Sequence, residues 1–249
     1  MPDSEQHAST HDTSRIGILG GTFDPPHIGH LIIAQEALIQ LGLDTVCFVP
    51  AAQPPHKATR SITPPARRKA MVELAIAGNA AFSLSSIELD RPGPSYTVDT
   101  LRALHAVWGR EAALHFIVGW DMLLDLPHWR DPAGVVAECA AIVAVHRPGY
   151  EADPAQLNRI AETLPDLPSK LVLLPTPQIG VSATDLRARV ASGLPIRYLV
   201  PDGVANYIAA HALYRDPAVS RTARGDAGQQ PGDYNPGRAD LVTREEARP

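Results

Sequence analysis

The chain has 249 residues, 45% hydrophobic and 20% charged, enough for one sizeable core or at most a domain with a small accessory lobe, and one domain is expected. Its 22 basic and 27 acidic residues leave a formal charge of -5, so no overall basic field marks it for a nucleic-acid partner. Cys47 and Cys139 each sit inside an apolar run, which fits buried, reduced thiols better than a disulfide framework or a cysteine metal cluster.

Residues 1–14 are polar, lack the apolar core of a signal segment and are expected to be disordered. Short apolar runs at 16–19, 45–49, 84–89, 114–118, 142–145 and 171–174 predict buried strands. Between and after them, 28–41, 66–77, 98–108, 132–139, 155–163, 183–191 and 203–211 carry helical patterns, several bounded by Gly, Pro or a capping side chain. The alternation predicts an α/β fold, a doubly wound parallel sheet of Rossmann-like type in one domain over 15–215. From 216 to 249 the chain is rich in Gly, Pro, Gln, Arg and Asp and is expected to be a disordered tail. The Arg224-Gly225-Asp226 triplet within it is read as a chance occurrence. No apolar run approaches the ~20 residues of a membrane span, so the expectation is a soluble, cytoplasmic protein without a membrane partner. Self-association is left open.

The strongest signal is Gly20-Gly21-Thr22-Phe23-Asp24-Pro25-Pro26-His27-Ile28-Gly29-His30, which follows the first strand and runs into the first helix. In an open α/β sheet the carboxyl end of a strand faces the ligand crevice, and the next helix presents N–H groups to a phosphate. Gly20 and Gly21 remove side chains where a nucleotide would press on the backbone. His27 and His30 are spaced to project from one face of the first helical turn, and Gly29 keeps that face open. Such a pair suits a polyphosphate, whose transfer depends on positioning and on neutralising charge. Neither a G-x-x-x-x-G-K-[ST] loop nor a G-x-G-x-x-G fingerprint is present, which argues against a P-loop enzyme and a dinucleotide-dependent dehydrogenase.

A second anion site is expected at Gly180-Val181-Ser182-Ala183-Thr184-Asp185-Leu186-Arg187. Ser182 is a good N-cap, with Asp185 completing a box, and Thr184 and Arg187 share one face near the positive helix end. Arg67-Arg68-Lys69 is read instead as a solvated helix face.

Together the two motifs resemble those of the nicotinate mononucleotide adenylyltransferase family, G-G-[TS]-F-D-P-x-H-x-G-H and I-S-A-T/S-x-x-R. Further family stations follow in order: Val49-Pro50, Pro54-Pro55-His56-Lys57, Pro94-Ser95-Tyr96-Thr97, Gly119-Trp120-Asp121, Leu126-Pro127-His128-Trp129 and Arg147-Pro148-Gly149-Tyr150. The resemblance implies transfer of AMP from ATP to nicotinate mononucleotide, giving nicotinate adenine dinucleotide (deamido-NAD) and pyrophosphate. It assigns His27 and His30 to the transferring phosphates, and Gly20, Gly21, Thr22, Phe23, Ser182, Thr184 and Arg187 to the ATP site. It places Asp121 on a ribose, Trp129 on the pyridine ring, backbone around Tyr96 and Thr97 on the nicotinate carboxylate, and Lys57 on a phosphate. No protein metal site is expected; Mg²⁺ would be bound mainly through ATP oxygens. Val181 stands where the family has Ile, Trp120 where a small or polar residue is usual, and His146 where a second Arg often precedes R-P-G. A pantetheine-phosphate adenylyltransferase usually has Thr at the position of His27 and is shorter. A class I aminoacyl-tRNA synthetase shares H-I-G-H but needs a longer chain and a K-M-S-K-S-like loop. A non-catalytic nucleotide sensor would have lost a His or Arg from one of the two motifs, and both are intact.

Overall fold

The computed structural model describes residues 13–53, 62–145, 153–177 and 179–215. Lys57, His146, the Arg224-Gly225-Asp226 triplet and both expected disordered segments, apart from Thr13 and Ser14, lie outside them.

Among the described residues, β1 (Arg15–Gly21), β2 (Thr45–Pro50), β3 (Phe82–Leu84), β4 (Ala113–Gly119), β5 (Ala141–Val145) and β6 (Leu171–Leu174) form one parallel sheet. Their order is β3-β2-β1-β4-β5-β6. The helices are α1 (Ile28–Gln40), α2 (Pro65–Ile76), α3 (Thr97–Trp108), α4 (Trp120–Asp125), α5 (Pro132–Glu138), α6 (Pro154–Thr163), α7 (Leu167–Lys170), α8 (Ala183–Ala191) and α9 (Asp202–Ala210). The expected α/β fold is present.

Burial explains the strands. All five residues of β5, and all of β2 after Thr45, are buried, as befits strands covered on both faces. Successive side chains alternate between the faces: Ile16, Ile18, Leu114 and Phe116 enter the core that holds Leu101 of α3, Leu123 of α4 and Val135 of α5. Leu19, Val46, Phe48 and Ile117 pack on the other face against Ala34 and Ala37 of α1. Side chains also start several helices. Asp131 accepts from Gly134 N–H at 3.0 Å ahead of Pro132, and Asp153 accepts from Ala155 N–H at 2.9 Å ahead of Pro154.

Two differences from the expected elements have local causes. The third strand occupies Phe82–Leu84 rather than 84–89, because Ser86 closes a turn: its carbonyl accepts from Asp90 N–H at 2.9 Å and its hydroxyl donates to the Asp90 carboxylate at 2.6 Å. Helices α4 and α7 were not anticipated, since six and four residues are too few to show a helical period.

The chain leaves β1 for β2 and β3 on one side, then returns to lay β4 on the other side of β1. That reversal opens a crevice beyond the carboxyl ends of β1 and β4. A third cluster, with Met71 of α2, Leu186 of α8 and Val204 and Ile208 of α9, brings α8 to the same end of the sheet.

Candidate functional site at the switch between β1 and β4

At the end of β1 the backbone turns sharply. Phe23 adopts a left-handed φ of 49° and buries its ring beneath Gly21, where a Cβ would lie 3.0 Å from that ring. The Asp24–Pro25 peptide is cis. His27 is the N-cap residue of α1, one position outside the helix, and its imidazole stacks on that of His30 with centroids 3.7 Å apart. His27 N–H donates to His30 Nδ1 at 3.1 Å, which leaves the proton of a neutral His30 on Nε2. A Cβ on Gly29 would stand 3.1 Å from His27 Nδ1, so this glycine makes the room in which the His27 ring lies. Phe23 meets His30 edge-on at 5.0 Å.

The expected set of helix-terminal amides is narrower than the sequence suggested. Ile28 N–H donates to Leu199 O at 3.1 Å and His30 N–H to His27 O at 2.9 Å. Two of the first backbone amides of α1 are thus already engaged within the protein.

Ser182 caps α8: its hydroxyl accepts from Asp185 N–H at 3.1 Å and donates to the Asp185 carboxylate at 2.6 Å. Arg187 donates through Nη2 to Thr184 Oγ1 at 3.3 Å and through Nη1 to Asp24 O at 2.6 Å. The second contact joins the two motifs, 163 positions apart in sequence, into one site.

Across the crevice, Asp121 lies in the first turn of α4 directly after β4. Trp129 follows the short turn Leu126–His128, is half-buried, meets Phe116 edge-on at 6.1 Å and donates its indole N–H to Asp125 at 3.1 Å. Tyr96 is the N-cap residue and Thr97 the first residue of α3, and the Arg130 guanidinium lies 4.6 Å from the centre of the Tyr96 ring. The Tyr96 and Trp129 stations are therefore neighbours. Trp120, which stands where the family usually has a small or polar residue, is only 1% exposed and packs in the core with Leu101 and Leu123.

Arg68 and Tyr214, which the sequence motifs do not include, pack against the turn, and Asp24, a member of the turn, binds through its side chain as well as its carbonyl. Arg68, read as part of a solvated face, is fully buried and donates to three carbonyls: Thr22 at 2.8 Å, Thr63 at 2.9 Å and Ala52 at 3.2 Å. Burial lowers its pKa, and the nearby Asp24 carboxylate opposes that shift. The signal was present in the sequence, because Arg68 precedes Met71 by three and Val72 by four, which sets it on the apolar stripe of α2. Lys69, paired with Glu73 at 3.9 Å, does face solvent. Asp24, 4% exposed, accepts from Tyr214 hydroxyl at 2.6 Å and from Thr63 N–H at 3.2 Å.

Both thiols are free and buried, pushed up by burial to about 11 for Cys47 and about 12 for Cys139, which makes them poor nucleophiles. Among the described residues no group of three or more His, Cys, Asp or Glu is arranged to hold a metal ion, and no helix is long and apolar enough to cross a membrane.

The Cytidylyltransferase-like family model matches residues 18–189. Over 200 residues the chain is 52% identical to a Roseiflexus protein named "Probable nicotinate-nucleotide adenylyltransferase", covering 80% of this chain and 98% of that one. A protein of the same name from Thermomicrobium roseum is 48% identical over 202 residues, 81% of this chain and 92% of that one. Among solved structures, nicotinic acid mononucleotide adenylyltransferase of Plasmodium falciparum, complexed with NaAD, shares the fold with a TM-score of 0.67. Sequence identity there is 19%, over 81% of this chain and 97% of that one.

Proposed function

The chain belongs to the Cytidylyltransferase-like family and, within it, to the nicotinate-nucleotide adenylyltransferases, and on that premise we propose how its residues join the adenylyl group of ATP to nicotinate mononucleotide. The products are nicotinate adenine dinucleotide and pyrophosphate, in a step of NAD synthesis.

The observation that carries the assignment of residues is the contact of Arg187 with the Asp24 carbonyl, which sets the α8 motif beside the stacked His27 and His30. In this reading the ATP phosphates lie between the two motifs. His27 and His30 donate to the α-phosphate and the departing pyrophosphate. Ser182, Thr184 and Arg187 hold the phosphates from the α8 side, while Gly20, Gly21 and the backbone of Thr22 and Phe23 flank the nucleotide. Asp121 takes a ribose hydroxyl, Trp129 stacks on the pyridine ring, and the Tyr96–Thr97 backbone meets the nicotinate carboxylate. Lys57, outside the described residues, contacts a phosphate.

The 5′-phosphate of the mononucleotide is already a nucleophile, so it attacks the α-phosphorus in line as the bond to pyrophosphate breaks. No enzyme nucleophile is required. Positive charge from Arg187 and the imidazole donors stabilises the oxyanions where charge develops. Mg²⁺ fits this site through ATP oxygens rather than a protein cage, since the buried Asp24 carboxylate is already engaged by Tyr214 and Thr63. When bound it neutralises phosphate charge. Two buried, unpaired thiols suit the reducing cytoplasm.

The test is to incubate the protein with ATP, Mg²⁺ and either nicotinate or nicotinamide mononucleotide, and to measure pyrophosphate and dinucleotide. Strong preference for the acid is expected. Preference for the amide, or no turnover of either while ATP still binds, would overturn the reading.

A further inference from the structure

The turn from Thr22 to Pro26 leads directly into His27 and His30, yet it has no regular secondary structure of its own. Its shape must come from what grips it. Arg187 takes the Asp24 carbonyl from the site side at 2.6 Å. From beneath, Arg68 takes the Thr22 carbonyl at 2.8 Å, and its other two bonds run to Thr63 and to Ala52 in the loop after β2. The Asp24 side chain is held in turn: Tyr214 donates its hydroxyl to Oδ1 at 2.6 Å and Thr63 its N–H to Oδ2 at 3.2 Å.

We propose that Tyr214, Asp24 and Arg68 form a brace of positioning residues, Asp24 and Arg68 buried and Tyr214 partly so, that fixes the turn after β1, and with it the orientation of His27 and His30, for phosphoryl transfer. The idea rests on the adenylyl-transfer reading above and goes beyond it, because none of the three was assigned a role in the site.

The chemistry suits a brace. A guanidinium presents its donors in a rigid planar fork, so Arg68 holds three separate carbonyls in a fixed relative geometry. Tyr214 lies 190 positions from Asp24, in the last described turn of the chain, with its backbone at a left-handed φ of 62°. Burial, and the carboxylate that its hydroxyl meets, push that hydroxyl's pKa far above the ordinary phenol range, so it remains a donor throughout the working pH range. The brace also reaches the mononucleotide side of the crevice. Ala52, whose carbonyl Arg68 holds, donates its N–H to Ser95 Oγ at 3.0 Å, next to Tyr96.

The direct experiment compares the full chain with Tyr214→Phe and Arg68→Lys under single turnover, with steady-state KM values alongside. Tyr214→Phe removes only an oxygen. It should keep its unfolding temperature within a few degrees and both KM values within about threefold, while the single-turnover rate falls about tenfold. Arg68→Lys should lose about a hundredfold. If Arg68→Lys fails to fold, Tyr214→Phe decides alone. The imidazole nitrogen resonances of His27 and His30 give a readout that needs no turnover and therefore separates failure of the brace from failure of the assigned reaction. They should shift in Tyr214→Phe. A variant with unchanged imidazole resonances and a rate within twofold of the native chain would show the three residues to be packing alone. A raised KM for ATP at unchanged rate would assign them to ground-state binding and equally overturn the proposal.

Discussion

Gly29 sits against His27, one of the two proposed phosphate donors. Helices ordinarily favour Ala over Gly, by about 1 kcal/mol in their interior and by less in the first turn, where Gly29 sits, yet here a Cβ would stand 3.1 Å from His27 Nδ1. Gly29→Ala should therefore shift the unfolding temperature by no more than a few degrees while turnover falls by about tenfold or more, since small displacements of His27, the proposed phosphate donor, are costly. Unchanged turnover would mean that the His27 ring can move without loss. The spacing of His27, Gly29 and His30 was readable in the sequence, but their stacking was not, because it depends on His27 being the cap rather than the first helical residue. Arg68 teaches the complementary lesson. Its charge suggested solvent, and its position on the α2 stripe with Met71 and Val72 pointed inward.

Elements with a clear period or cap were legible to within a residue or two; α8, capped by Ser182, begins and ends where its pattern says. The segment after β3 was not. Its apolar Ile87 looked like strand continuation, whereas Ser86 and Asp90 close a turn that delivers Ile87 to the core and buries Glu88. Glu88 accepts from Thr100 Oγ1 at 2.7 Å, tying this turn to α3. Burial raises the Glu88 pKa, opposed by the hydroxyls of Thr100 and Ser95 and by the charges of Arg91 and Arg68. The native state thus holds the Glu88 proton to a higher pH than the unfolded chain does. The stability this contributes is full below the unfolded value and is lost as pH rises through the folded one. Glu88→Gln cannot titrate, so its denaturation midpoint relative to the native chain should improve between about pH 4 and pH 8. A gap that stays constant with pH would contradict the burial argument.

For the molecule as a whole, the strand order places the β1 turn and the start of α4 on either side of the reversal between β1 and β4, where α/β sheets bind ligands. Alternating strands and helices made that architecture legible, and the two motifs marked its working edge. What no local pattern carries is the closure from far along the chain: Arg187 on the Asp24 carbonyl and Tyr214 on its carboxylate. Such contacts follow from the packing of α2, α8 and α9 around Met71, Leu186 and Val204, which periodicity predicts as apolar faces without naming their partners. The central claim is that these distant groups align two substrates for one direct displacement at the α-phosphorus, with no covalent enzyme intermediate. The most direct test is the stereochemistry of transfer from ATP made chiral at the α-phosphorus. Inversion in the dinucleotide product is the predicted result; retention would reveal two successive displacements through an adenylyl-enzyme and contradict the account.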